Sequence, residues 1–321
     1  MQTILRVAFA VVLGASGLMA QAQVYPSKPV RFIIPYPPGG IADTLARALG
    51  QQLGERLGQQ VIPDNKPGGS LIIGAEAAAR SPADGYTIFL GSVSSLAINA
   101  GAFKKLPYDP VKDFSPISIA FYTPLYLIIS PDVPASSLRE LIAHARKNPG
   151  ALSFASLGVG SSLHLAGEMF KSMAGIDIIH VPYKGTTTAA PDLMSGRVNM
   201  MFDGGVLLPQ AKAGKVRLLA VTSSARVGFL PEVPTMAEAG VPGYDLVIWF
   251  GAVAPARTPA PVIDRLSREV AEIVKLPSFK ERFAQSGMEL ASNTPEAFGE
   301  LIRNDIGKWT RLLKDAGVQP Q

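Results

Sequence analysis

Short apolar runs alternate with amphipathic segments along most of the chain. The apolar runs predict strands at residues 30–34, 60–63, 86–91, 125–130, 152–155, 178–182, 199–202, 216–222 and 246–251. Leucine and alanine that recur at three- and four-residue spacing predict helices at 43–57, 69–80, 92–102, 137–147, 163–174, 189–195, 260–275, 278–286 and 294–317. Strands that alternate with helices in this way indicate βαβ units on parallel sheets, and therefore an α/β fold.

The elements form two similar groups, and the helices at the end of the chain have no strands of their own. These helices would be buried best against the first sheet, which requires the chain to pass between the groups twice, near residues 122–124 and 243–244. We therefore expect two lobes with a ligand cleft between them. Lobe 1 would contain residues 23–123 and 245–321, and lobe 2 would contain residues 124–244.

The first residues have the pattern of an export signal. Arg6 precedes an uninterrupted run of apolar and small residues at 7–19, and Ala20-Gln21-Ala22 supplies the small residues that a signal peptidase requires. The run is shorter than the roughly 20 residues of a membrane-spanning helix. We predict a signal peptide at 1–22 and a mature protein in the bacterial periplasm. A buried N-terminal core helix is the alternative interpretation.

Composition excludes several classes of function. The chain has no Cys, which removes disulfides, thiolate nucleophiles and Cys-ligated zinc. A formal net charge of +5, without a run of five basic residues, is not typical of nucleic-acid binding. The histidines, His144, His164 and His180, are too far apart in sequence to suggest a metal site. We expect no metal, no cofactor and no nucleic-acid partner.

Two glycine-rich turns, one in each half, join a predicted strand to a predicted helix. They lie at residues 37–40 and 158–162. Glycine lets a ligand approach the backbone closely, and the start of a helix offers unpaired N–H groups, so both turns favour a small anion. Neither has the spacing of a nucleotide-binding fingerprint. Plain connecting turns remain the alternative for each one separately, but their presence in both halves favours binding.

Three polar side chains near these turns have two interpretations each. Asp43 either complements the helix dipole or contacts the ligand or a water molecule. His164 either faces the cleft or lies in the core, and Lys184 either adds a charge-assisted hydrogen bond or stays solvated. The sequence alone does not choose between them.

Several motifs resemble those of one receptor family. They are Pro-Tyr-Pro-Pro-Gly-Gly-Ile-Ala-Asp at 35–43, Asn-Lys-Pro-Gly-Gly at 65–69, Ala-Asp-Gly-Tyr at 83–86, Tyr-Asp-Pro-Val-Lys-Asp-Phe at 108–114, His-Val-Pro-Tyr-Lys-Gly at 180–185 and Leu-Pro-Glu-Val-Pro-Thr at 230–235. With these motifs the chain resembles the solute receptors of tripartite tricarboxylate transporters, the Bug-type extracytoplasmic receptors. The resemblance extends over essentially the whole chain after residue 22.

The resemblance implies a two-lobed periplasmic binding protein, type II-like, with two interlobe crossovers. It also implies a carboxylate held between two turns, largely by backbone amides and ordered water. The residues that it places at the ligand are Tyr36, Pro38, Gly39, Gly40, Ile41, Ala42, Asp43, Ser92, Ser94, Gly160, Ser161, Ser162, His164, Tyr183, Lys184, Gly185, Thr186 and Asp203. Citrate-like acids, other di- or tricarboxylates, acidic amino acids and aromatic carboxylates are all candidate ligands. The expected partners are the transporter's membrane subunits, and the receptor itself is expected to be a monomer.

Two other functions use the same architecture. An exported hydrolase or lyase would need an activated nucleophile or a paired acid and base, and the sequence presents no such constellation. A receptor that signals to a sensor kinase would use the same lobe surface as one that serves transport. Neighbouring genes for two membrane subunits would distinguish transport from signalling. We expect a receptor without enzymatic activity.

Overall fold

The computed structural model describes residues 25–284, 288–315 and 317–321. Its strands are β1 (Val30–Ile34), β2 (Val61–Asn65), β3 (Thr87–Ser92), β4 (Phe114–Pro124), β5 (Tyr126–Ile129), β6 (Leu152–Ser156), β7 (Ile178–Pro182), β8 (Met200–Asp203), β9 (Arg217–Val221), β10 (Val247–Pro255) and β11 (Glu289–Leu290). Its α-helices are α1 (Ile41–Leu57), α2 (Ile72–Ala79), α3 (Asn99–Ala102), α4 (Leu138–Lys147), α5 (Ser162–Ala174), α6 (Thr186–Met194), α7 (Leu208–Lys212), α8 (Ala260–Ile273), α9 (Pro277–Phe283) and α10 (Pro295–Asp315). The predicted signal peptide, residues 1–22, lies outside the described residues. Within the described ranges, no helix combines the length and the apolar character that a bilayer crossing needs.

The strands form two sheets. Sheet A has the order β11-β4-β10-β3-β1-β2, and sheet B has the order β7-β6-β8-β5-β9. Parallel pairs join β1 to β2 and β3, and β6 to β7 and β8. By contrast, β10 runs antiparallel to β3 and β4, and β5 runs antiparallel to β8 and β9.

The expectation of wholly parallel sheets is therefore wrong for the strands at which the chain changes sheet. The chain leaves sheet A at the carboxyl end of β4 and enters sheet B as β5 from that same side. It returns to sheet A as β10, again from that side. A strand that enters a sheet where its parallel neighbours end must run in the opposite direction, so β5 and β10 are antiparallel to them.

The predicted elements are present with bounds shifted by a few residues, but β4, β11 and α7 were not predicted. Serine, proline and threonine interrupt the apolar positions of β4, which hides its periodicity. Two polar groups in the middle of β4 have a partner far along the chain. The Ser118 hydroxyl donates to the Asn293 carbonyl at 3.0 Å, and the Ile119 N–H donates to Asn293 Oδ1 at 2.9 Å. Long-range pairing of this kind leaves no local sequence signal.

The C-terminal helices cover sheet A, as their lack of nearby strands predicted. Helix α8 packs on β4 and α1, and α10 packs on β4 and on the π-helical turn Ser94–Ile98. Trp249 of β10 donates its indole N–H to Asp305 of α10 at 2.6 Å in the buried interface. Sheet A thus combines both ends of the described chain. The lobe boundaries at 123/124 and 244/245 stay a prediction.

The two segments that connect the sheets lie side by side and share one buried threonine. The Leu125 N–H donates to Thr222 Oγ1 at 2.7 Å, and the Thr222 N–H donates to the Leu125 carbonyl at 2.9 Å. Thr222 Oγ1 also donates to the Leu246 carbonyl at 2.6 Å. In sheet A the same segments pair directly, Val247 with Pro124. Thr222 therefore joins both crossovers.

Candidate functional site

A cleft with a cavity of about 50 Å³ lies where β1, β6, β7 and β8 end. Ligands in α/β proteins bind outside the carboxyl ends of parallel strands, so the position itself is informative. The predicted site residues that line the cleft are Tyr36, Gly40, Ile41, Ala42, Ser162, Gly185 and Thr186. The other predicted residues lie behind this lining or beside the cleft.

The first glycine turn leads into α1. Gly40 is the N-cap of α1, and no side chain caps the helix. The N–H groups of Ile41 and Ala42, in the first turn of the helix, have no carbonyl partner within the helix. Because both residues line the cleft, an anion there can accept hydrogen bonds from this turn and benefit from the helix dipole.

Asp43 holds that turn in shape. Its carboxylate accepts the Gly39 N–H at 2.9 Å, the Asn65 side-chain amide at 2.8 Å and the Arg47 guanidinium at 2.9 Å. Burial raises the pKa of this carboxyl, but the hydrogen bonds from Arg47, Asn65 and Gly39 outweigh it and hold the pKa below its usual value. Asp43 is thus an ionised brace for the turn. Pro38 and Gly39 are exposed, outside the cleft lining.

The second glycine turn leads into α5 and is held by serines. Ser156 Oγ accepts the Gly158 N–H at 3.0 Å. Ser161 Oγ donates to the Gly158 carbonyl at 2.7 Å and accepts the His164 N–H at 3.2 Å, which caps the helix. The start of α5 therefore faces the cleft from sheet B as the start of α1 does from sheet A.

Direct contacts join the two sides of the cleft. The Ser162 N–H of α5, on the sheet B side of the cleft, donates to Ser94 Oγ, on the sheet A side, at 2.9 Å. Gly160 has φ +81°, and a Cβ there would lie 2.6 Å from Asn99 Oδ1. Gly185 approaches Pro37 so closely that a Cβ would lie 2.5 Å from Pro37 Cγ. The structure therefore has the two sides in close contact around the cleft.

Two predicted residues support the lining from behind. The Tyr36 hydroxyl donates to Ser92 Oγ at 2.9 Å, and burial raises the pKa of Tyr36, so the phenol stays neutral. Asp203 is fully buried and accepts the Gly205 and Leu207 N–H groups at 2.8 and 2.9 Å. Burial raises the pKa of Asp203. Asp203 thereby fixes the wall at Gly204 and Val206 rather than lining the cleft itself.

His164, which is buried, and His180, which is half-buried, form a pair beneath the second turn, with ring centroids 4.4 Å apart. His180 Nε2 lies 2.5 Å from Ser156 Oγ, the hydroxyl that holds the Gly158 amide. Burial, the neighbouring histidine and Lys171 lower the pKa of His164 to about 3. Burial, followed by Lys171, lowers the pKa of His180 to about 4. Both imidazoles are neutral at pH 7, and His164 packs in the core layer rather than in the cleft lining.

This pair should make the protein less stable in mild acid. An unfolded histidine has a pKa near 6.5, so between pH 6.5 and pH 4 the unfolded state binds more protons than the folded state. The free energy of unfolding therefore falls as the pH falls, by about 1.5 kcal/mol for the buried His164 between pH 6.5 and pH 5. Denaturant titrations at both pH values should show a smaller drop for His164→Phe. The control His144→Phe, on α4, should keep the full drop; equal drops in both variants would contradict the assignment.

Tyr183 and Lys184 lie beside the cleft. The Tyr183 hydroxyl donates to Asp192 Oδ2 at 2.9 Å, which ties the loop to α6. Lys184 is exposed and lines a neighbouring groove. The structure thus brings most of the predicted residues to the cleft or to its immediate support.

The apolar wall of the cleft was not predicted from sequence. It consists of Leu125, Leu157, Val206, Ile248 and Phe250. The sequence did contain one signal for the position of this wall, the two predicted crossovers. A chain that passes between two sheets must border the space between them. Apolar side chains at such positions, however, look like core residues in the sequence. The described residues contain no group of His, Asp or Glu side chains arranged to hold a metal ion.

Comparison with known proteins agrees with this arrangement. The model of the tripartite tricarboxylate transporter family receptors matches residues 45–318. The chain belongs to this receptor family. The resemblance seen in the sequence is thereby confirmed.

Relatives within the family cover nearly the whole chain. Protein BugT of Bordetella pertussis is 35% identical over 311 residues, which is 96% of this chain and 95% of that protein. The structure of R. palustris Rpa4515 with adipate has a TM-score of 0.90 at 35% identity and covers 92% of this chain and 100% of that one. MatC from Rhodopseudomonas palustris with bound malate has a TM-score of 0.85 at 27% identity, with 90% and 100% covered. These likenesses confirm the two-lobed periplasmic-binding-protein fold.

Proposed function

We propose that this receptor captures a small carboxylate in the cleft and presents it to the membrane subunits of a tripartite tricarboxylate-type transporter. The observation that carries the proposal is the pair of helix starts, α1 from one side and α5 from the other, that open on one cleft. The N–H groups of Ile41 and Ala42, which have no partner within the helix, and the positive ends of two helix dipoles together form an environment that favours an anion.

The chemistry of the lining favours a carboxylate with an apolar body. Backbone amides and the hydroxyls of Ser162 and Thr186 can satisfy carboxylate oxygens, and the wall around Phe250 and Ile248 can cover a hydrocarbon chain. The family members with adipate and with malate are consistent with this division of the cleft. The roles of Asp43 and Asp203, which hold backbone turns, support binding without turnover.

Native mass spectrometry of the protein purified from the periplasm tests the proposal. We expect a complex with one small carboxylate that is released on mild activation, and a protein mass that corresponds to cleavage after Ala22 and to a monomer. Isothermal titration of the ligand-free protein with the released acid should then give one saturable event. A cleft that binds none of a panel of mono- and dicarboxylates, or an acid that is converted to product, would contradict the proposal.

A further inference from the structure

We propose that Ser94 is a positioning residue that closes the cleft without contacting the ligand, by accepting the Ser162 N–H from the other side. It then strengthens the binding of every acid by the same factor. The inference rests on the proposed function, because a contact that closes the cleft affects affinity only in a receptor that closes on its ligand. It goes beyond that function, because it assigns part of the free energy of closing to the protein alone.

Ser94 directs its hydroxyl across the cleft rather than into its own side. It begins the π-helical turn Ser94–Ile98 and is 2% exposed. The next serine, Ser95, bonds within the same turn, where its hydroxyl accepts the Ser92 N–H at 3.1 Å. Ser94 Oγ instead accepts the Ser162 N–H at 2.9 Å, its one hydrogen-bond partner among the described residues. The hydroxyl therefore serves the contact between the two sides.

The contact satisfies a backbone group that the helix itself leaves unpaired. Ser162 is the first residue of α5, and the first four N–H groups of a helix have no carbonyl partner within it. Ser161 Oγ accepts the His164 N–H at 3.2 Å from within the same turn. Ser94 does the equivalent for Ser162 from the sheet A side. It is thus a second cap of α5 that is present only when the cleft is closed.

Ser94 acts outside the space that a ligand occupies. Ser162 is one of the described residues that line the cleft, and Ser94 is not. Because the Ser162 N–H already has a partner in the closed arrangement, an acid that binds there leaves the contact intact. Loss of the contact should therefore weaken each acid equally, whereas loss of a ligand contact would depend on the chemistry of the acid.

Two further contacts seat the second glycine turn on the sheet A side. A Cβ at Gly158 would lie 2.6 Å from Ser70 Oγ, and a Cβ at Gly160 would lie 2.6 Å from Asn99 Oδ1. Asn99 Nδ2 donates to the Ser70 carbonyl at 2.9 Å, which joins these two partners. Neither belongs to the described lining of the cleft. The protein alone thus provides the seat, and Ser94 supplies the hydrogen bond that holds the turn in it.

The size of the effect follows from the kind of hydrogen bond. Opening the cleft returns the Ser162 N–H and Ser94 Oγ to water, so the net contribution is that of an ordinary neutral hydrogen bond. Such a bond changes an equilibrium constant by about threefold to tenfold. Both groups are uncharged, so the factor should be the same at low and high salt.

Titration calorimetry with unlike acids tests the inference on the protein purified from the periplasm. The probes are adipate, malate and benzoate, which differ in length, polarity and aromatic character. We expect Ser94→Ala to weaken each acid that binds by one common factor, about threefold to tenfold. The control is Ser137→Ala, because the Ser137 hydroxyl also accepts a helix N–H, that of Glu140 at 3.3 Å, but within α4. It should lower the melting temperature and leave the affinities unchanged.

Amide hydrogen exchange in the empty protein gives a readout that needs no ligand. The Ser162 N–H has no partner within its helix, so slow exchange there reports the contact with Ser94. We expect a protected Ser162 amide in the wild type and exchange about threefold to tenfold faster in Ser94→Ala. The His164 amide, which Ser161 caps from the same turn, should keep its rate.

Each outcome decides the inference. Unchanged affinity in Ser94→Ala would overturn it while the proposed function stands, and so would factors that differ between the acids, which would make Ser94 a ligand contact. A Ser162 amide that exchanges equally fast in the wild type and the variant would do the same. If no acid binds and the native spectrum shows no trapped carboxylate, the proposed function fails. Amide exchange then decides the role of Ser94 alone.

Discussion

Replacing Gly40 by valine should abolish carboxylate binding and leave the protein folded. Gly40 lines the cleft at the start of α1, and a Cβ there would meet only the Pro37 carbonyl, at 3.8 Å. The residue has φ −77° and ψ 167°, which valine adopts readily. The backbone of the turn therefore does not forbid valine. The branched side chain would occupy the space of the carboxylate.

Gly40→Val should change the stability of the protein much less than its affinity for the ligand. Loss of a favourable N-cap residue should lower the free energy of unfolding by about 1 kcal/mol, whereas the affinity should fall by more than a hundredfold. Saturating ligand should raise the melting temperature of the wild type but not of the variant, because stabilisation requires binding to the folded state. Gly228→Val is the control, since a Cβ there meets nothing within 4 Å and the residue lies outside the cleft lining. Near-native affinity in Gly40→Val would show that the turn is only structural.

Replacing Gly160 by alanine should prevent the two sides of the cleft from closing. Besides Asn99 Oδ1, a Cβ at Gly160 would lie 2.9 Å from the Ala102 Cβ and from the Phe103 ring, all on the far side of the cleft. The closed arrangement would have to open by a fraction of an ångström or more at a tightly packed contact. A ligand that binds the closed state then has its apparent affinity reduced by the fraction of molecules that can close. We expect a loss of about a hundredfold.

Gly175→Ala provides a matched control for this prediction. Gly175 also has a positive φ, +60°, at the end of the same helix α5, but a Cβ there would meet nothing within 4 Å. Both variants should lose about 1 kcal/mol of stability from the left-handed backbone. Only Gly160→Ala should lose ligand affinity in calorimetry and fail to contract in small-angle scattering when adipate is added. Equal affinities in the two variants would contradict the closure argument.

The sequence predicted the elements whose periodicity is local and missed those that depend on distant partners. Helix α1 was recognised because Leu45, Leu49 and Leu53 recur on one face, and all three are buried. Strand β4 was missed because serine, proline and threonine interrupt its apolar positions, and Asn293, far along the chain, is the partner of Ser118 and Ile119. The crossovers were expected near the observed changes of sheet, since unpaired terminal helices need a surface to cover.

The candidate site likewise has one part that the sequence predicts and another that only the structure shows. The glycine-rich turns can be recognised from their composition, and Gly40 and Ser162 of these turns line the cleft. For Asp43 and His164 the sequence left two roles open, and only the side-chain partners show that Asp43 braces a turn and that His164 packs against His180. A carboxylate that binds a ligand and one that holds a loop have the same sequence signal. That all the predicted residues act on the ligand stays a prediction.

The buried threonine between the crossovers restricts how the cleft can open. Because Thr222 holds the segments at Leu125 and Leu246 together, the two linkers cannot twist independently. We therefore expect the two sheets to move relative to each other by rotation about one axis through this joint, so that opening is a transition with one degree of freedom. Pairs of fluorescent labels placed anywhere across the cleft should then change their energy transfer with the same midpoint and the same rate. The distance between a single pair of labels is then enough to measure the fraction of receptors that are closed.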